Sequence, residues 1–138
     1  SVEIWVLYEL SFFSSCSPLL SVQLLTKYTR EMLRKSDFLQ GVGKNRNMMH
    51  TLLLNGFMAC IEVDDFTNAL YFKKQIEKNF FEENETYFRI VYLWAEGLLD
   101  SKQGRAEEGQ RKMEDAIRIF EMIGCSRSAD YYRSAMEC

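Results

Sequence analysis

Residues 104–124, GRAEEGQRKMEDAIRIFEMIG, read as one helix with a charged outer face and an inner face of Met113, Ala116, Ile117, Phe120 and Ile123. Apolar side chains spaced three and four residues apart produce such a stripe. The opening of this stretch has an echo upstream. DDFTNALYF (64–72) aligns with GRAEEGQRK (104–112), which sets Ala69 against Gly109, 40 residues apart. In both copies a tight turn leads into a helix with a small residue in its first turns. A small residue there lets the preceding helix approach closely. Repetition near this period marks stacked helical hairpins, a solenoid, and solenoids bind partners along a concave face. The expected fold is all-α: antiparallel helix hairpins in one domain over residues 1–138.

Working outward, the pattern predicts seven helices. The first spans residues 2–13, and the second follows an N-cap serine and first-position proline, Ser17-Pro18, to about residue 35. A loop with two glycines covers 36–43. The third helix, 44–63, is apolar over much of its surface and ends at Asp64-Asp65, where Asp65 is placed to cap the fourth. The fourth carries Ala69, Phe72, Ile76 and Phe80 at helical spacing. The fifth, 85–102, has two apolar stripes: Ile90, Leu93 and Gly97, and Tyr87, Val91, Trp94 and Leu98. A helix apolar on two sides is covered on two sides. The sixth, 106–123, offers Glu107–Arg111, Glu108–Lys112 and Glu114–Arg118 as i,i+4 pairs, with Gly124 as its left-handed stop. The seventh, 128–137, reads as a terminal cap. Hairpins then pair helices three with four and five with six.

Composition narrows the function. The net charge of −3 gives no basic footprint for a phosphate backbone, so this chain alone is not expected to bind DNA or RNA. No stretch is as long as a membrane span. Ser1 is not an initiator methionine, and the chain reads as part of something longer. Cys16, Cys60, Cys125 and Cys138 have no C-x-x-C spacing, and His50 is the one histidine, which argues against a structural zinc site and for reduced thiols. Asp64, Asp65 and Asn68 faintly match a magnesium-binding D-D-x-x-N, but a turn already explains them. A single histidine supports no Ser/His/Asp set, and GVGKN lacks the spacing of a phosphate loop. No cofactor, metal or enzymatic activity is expected.

WVLYELSFF (5–13), LLLNGFMACIEVDDFTNALYF (52–72) and above all EGLLDSKQGRAEEGQRKMEDAIRIFEMIGCSRSADYY (96–132) resemble the C-terminal region of the Rgg/GadR/MutR family. These are cytoplasmic transcriptional regulators of Gram-positive bacteria. The resemblance spans essentially the whole chain. It implies a tetratricopeptide-like α-solenoid that takes up a short hydrophobic signalling peptide, as in quorum sensing, and contributes to a homodimer. DNA would be met only through an N-terminal helix-turn-helix domain, which this chain lacks.

A buried extended peptide needs partners for its backbone groups, and an Asn side chain supplies both a donor and an acceptor. Asn55 interrupts an apolar run, LLLNGF, and resembles the groove-facing asparagine of pheromone-binding regulators. Thr51 and Met58 flank it at −4 and +3 on the same face. Tyr87, Val91 and Trp94 would wall pockets for apolar peptide side chains, the competing use of each being core between repeats. Arg46 is placed to meet a peptide carboxylate, or to be a solvated charge, and His50 reads as a surface or satisfied residue. The rival function is a helical-repeat scaffold for protein partners that takes no peptide.

Overall fold

The structure, a computed structural model, describes residues 46–137. They form five α-helices and, among the described residues, no strand: α1 Arg46–Glu62, α2 Phe66–Lys78, α3 Thr86–Lys102, α4 Ala106–Met122 and α5 Ser126–Ala135. These correspond to the third to seventh expected helices. The first two, with the loop at 36–43, lie outside the described residues. The chain divides into two compact units after Phe80. Within the described residues, the first holds α1 and α2 and the second holds α3, α4 and α5.

Helices α2 to α5 open at Phe66, Thr86, Ala106 and Ser126, so the half-repeat is 20 residues. One turn design joins α1 to α2, α3 to α4 and α4 to α5. Each turn has a residue at positive φ: Asp64 at 59°, Gly104 at 88° and Gly124 at 81°. The next amide reaches back five residues: Asp65 N to Cys60 O at 2.9 Å, Arg105 N to Asp100 O at 2.8 Å, Cys125 N to Phe120 O at 2.8 Å. This Schellman closure satisfies carbonyls that a helix end leaves without partners. The residue donating that bond also starts the following helix, because its own carbonyl accepts from Ala69, Gly109 or Ala129. All three of those small residues are buried. The third copy, Gly124 with Ala129, completes a series of which the sequence comparison found two.

The small residues set the helix separation. A β-carbon built on Gly97 would lie 2.6 Å from the Gly109 carbonyl oxygen, and one on Gly109 would collide with Gly97 O and Ser101 Oγ. Backbone therefore meets backbone where α3 crosses α4. In the first unit a β-carbon on Gly56 would lie 2.6 Å from the Phe72 ring, so an aromatic ring fills the room the missing side chain leaves. Around these contacts the first unit buries Leu53, Phe57, Ile61, Phe72 and Ile76. The second buries Trp94, Leu99, Met113, Ile117, Phe120 and Tyr132. Each such side chain contributes roughly 1.5–3 kcal/mol on burial.

Asp100 joins α3 to α4 electrostatically. Its Oδ2 accepts from Lys112 Nζ at 2.7 Å, and its Oδ1 from Arg105 Nη2 at 2.8 Å and Nε at 3.1 Å. Burial pushes the Asp100 carboxyl up, but the hydrogen bonds and charges of Lys112 and Arg105 outweigh it and hold the group below its ordinary 3.8. This changes the expected pairing on α4. Lys112 turns to the buried carboxylate instead of Glu108, and Asp115 takes both Arg111 and Arg118 in place of the expected partners. A carboxylate removed from water gains more from a cation than an exposed glutamate does. Asp65 caps α2 as expected, accepting from Asn68 N at 3.2 Å and from Asn68 Nδ2 at 2.6 Å, which accounts for the D-D-x-x-N run.

Two residues assigned to inner faces are exposed: Phe80 and Ile123. Both lie past the last helical residue, where the 3.6-residue rotation stops placing side chains.

Gly109→Ala is expected to lose about 1–3 kcal/mol by overpacking, read as a lower urea midpoint, while Gly124→Ala loses about 1 kcal/mol from the left-handed backbone alone. Asp100→Asn is expected to cost about 1–3 kcal/mol at neutral pH. A carboxylate with a depressed folded pKa stabilises above its unfolded pKa and loses that contribution as pH falls. The gap between wild type and Asp100→Asn in denaturant titrations therefore narrows once pH drops below 3.8.

Candidate functional site

Between Met49 and Glu62, α1 is buried at every position except Thr51, Asn55, Met58 and Glu62, which are half-exposed. Steps of four, three and four place these on one helix face. The stripe extends to exposed Asn47, whose carbonyl accepts from Thr51 Oγ1 at 2.8 Å. The neighbours of Asn55, namely Leu52, Leu53, Leu54, Gly56 and Phe57, are all buried. Among the described residues the half-exposed Asn55 side chain makes no hydrogen bond. An amide held by buried neighbours on a rigid helix is oriented before anything binds to it.

Three of the expected site residues, Thr51, Asn55 and Met58, thus share one face. Glu62 was missed, although its four-residue step from Met58 was visible in the sequence. Arg46 is committed elsewhere: its Nη2 donates to Phe80 O at 3.2 Å and lies 3.3 Å from His50 Nε2. The guanidinium thus sits at the C-terminal end of α2. His50 is buried against it, a satisfied residue and not a surface one.

In the second unit, Tyr87, Val91 and Trp94 follow one face of α3. Tyr87 is 49% exposed, and its ring lies 5.7 Å from that of Phe120. Val91 and Trp94 are each only 2% exposed. Both are core in this structure, the competing use the sequence left open for them. The reason lies on α5: the Tyr132 ring sits 5.0 Å from Trp94 and stacks 5.8 Å from Phe120. Burial pushes the Tyr132 phenol well above its usual range. Trp94 Nε1 is sealed and has no hydrogen-bond partner among the described residues. Leaving such a donor unpaired costs about 1–3 kcal/mol.

Charge and metal chemistry contribute little here. Among the described residues no group of three or more His, Cys, Asp or Glu could hold a metal ion. Cys60 is buried and Cys125 half-buried, and both are free thiols. No helix among the described residues is long and apolar enough to cross a membrane.

The described residues are helical hairpins with one polar-centred stripe left open on a largely buried helix. The comparison with protein families is specific: the model described as "HTH-type transcriptional regulator Rgg, C-terminal domain" matches residues 1–134. The chain belongs to this family, a regulatory domain of transcriptional regulators. No solved structure matches the chain.

If Asn55 serves a ligand and not the fold, Asn55→Leu should leave ligand-free stability within about 0.5 kcal/mol of wild type. Leu53→Ala, two residues away in the core, should lose about 2–5 kcal/mol. Equilibrium urea unfolding of the two variants separates these cases.

Proposed function

We propose that this domain is the sensor of its regulator, binding a short hydrophobic peptide and contributing to a homodimer. The observation that carries the reading is the unengaged Asn55 amide on the open stripe of α1. A peptide unit presents one N–H and one C=O, and an Asn side chain answers both. Thr51 and Met58 beside it supply a hydroxyl and a flexible apolar contact. In the second unit, taken by itself, Tyr87 presents an exposed aromatic face, a surface suited to apolar side chains.

The dimer contribution rests on exposed apolar residues at the end of α4, Met122 at 72% and Ile123 at 56%. In this reading the protein is cytoplasmic, where a re-imported peptide would meet it, and DNA is met only through a helix-turn-helix domain. Repeats stacked as a solenoid would give the peptide a concave face. The peptide favours one of two shapes of the domain, and the shift in population is limited by its difference in affinity for them.

A pool of synthetic octapeptides drawn from Leu, Ile, Val, Phe, Trp and Gly provides the test. A binder present at 100 times its Kd stabilises by roughly 2.7 kcal/mol, a Tm rise of several degrees. Asn55→Ala should abolish that rise. A pool that leaves Tm unchanged, with the chain dimeric by light scattering, would favour the scaffold reading instead.

A further inference from the structure

The aromatic residues of the second unit form a continuous row. Exposed Tyr87 touches Phe120 at 5.7 Å, Phe120 stacks on Tyr132 at 5.8 Å, and Tyr132 covers Trp94 at 5.0 Å. The row starts at the surface and ends on a buried donor without an acceptor. The cover belongs to α5, the shortest helix described at 10 residues, whose first turn has no side-chain cap. Its outer face carries exposed Arg127, Asp130, Arg133 and Ser134 together with Tyr131. It is tied to α4 by an exposed ion pair, Arg133 Nη2 to Glu121 Oε1 at 3.0 Å. Exposed pairs of this kind hold weakly.

We propose that Trp94 Nε1 is a hydrogen-bond donor held in reserve for a peptide carbonyl of the ligand, and that Tyr132 on α5 is the lid over it. The inference rests on the peptide-sensor reading and adds a gate to it. An indole N–H donates only, so an acceptor-bearing ligand relieves it and a pure hydrocarbon does not. Displacing Tyr132 admits the carbonyl. The bond then formed exists in the open state and not in the closed one, which is the differential interaction that a population shift requires. Tyr87, at the outer end of the row, is where the ligand first stacks.

The test follows the indole proton of Trp94 by 1H–15N NMR in the Trp5→Phe variant, which leaves Trp94 as the sole tryptophan. The probe is the octapeptide pool, screened in parallel by thermal shift. In the free protein the Trp94 indole proton should resonate upfield, as an unbonded one does. It should move downfield with any pool member that raises Tm. Trp94→Phe should weaken that member's binding about tenfold. Tyr132→Ala should raise acrylamide quenching of Trp94 without peptide. A free protein whose indole proton is already downfield, with an exchange peak to water, overturns the proposal. A peptide that raises Tm and leaves the indole proton unmoved overturns the gate and keeps the sensor. A pool with no binder overturns both.

Discussion

Close approach at glycines in the helix crossings, backbone on backbone in the second unit and an aromatic ring on Gly56 in the first, is the constraint on which the described structure depends. Where Gly97 and Gly109 meet, no side chain separates α3 from α4, so the two helices are as close as their main chains allow. That closeness lets Met113, Ala116, Ile117 and Phe120 reach across and be covered. It also brings Lys112 on α4 within 2.7 Å of Asp100 on α3. The turn makes the crossing reproducible. A left-handed residue reverses the chain, the following amide closes the old helix, and five positions after the reversal a small buried residue begins the new contact.

The same geometry explains which surfaces remain for function. On α1 nearly every position from Met49 onward is buried, and one line of half-exposed positions remains. A polar amide on that line, Asn55, has no hydrogen-bond partner among the described residues. On α3 the middle of the apolar stripe is closed: Val91 and Trp94 are buried, Trp94 against Tyr132 of α5, while Tyr87 is exposed and Leu98 half-exposed. The two helices carry their candidate residues in contrasting states, one ready and one covered.

Periodicity located each of the five described helices, with starts and ends within two residues of those observed. It did so because hydrophobic spacing and turn residues are local properties, readable without knowledge of neighbours. Family membership was legible for a different reason. The run around Gly104 to Cys125 combines a turn, a close crossing and a charged face, a combination more specific than a generic helical repeat. The candidate site was legible in part. Asn55, Thr51 and Met58 could be grouped because i, i+4 and i+7 are neighbours on any helix.

Within the chain itself lay the helix pattern, the turn residues, the small residues at the crossings and the polar interruption at Asn55. All follow from backbone geometry over a few positions. Tertiary packing alone decided that Val91 and Trp94 are covered while Tyr87 on the same stripe is exposed, that Lys112 pairs with Asp100, and that Arg46 donates to the Phe80 carbonyl. Those outcomes depend on which helix arrives over a given face. Burial and charge pairing are properties of two segments at once, and spacing along one segment carries no information about the other.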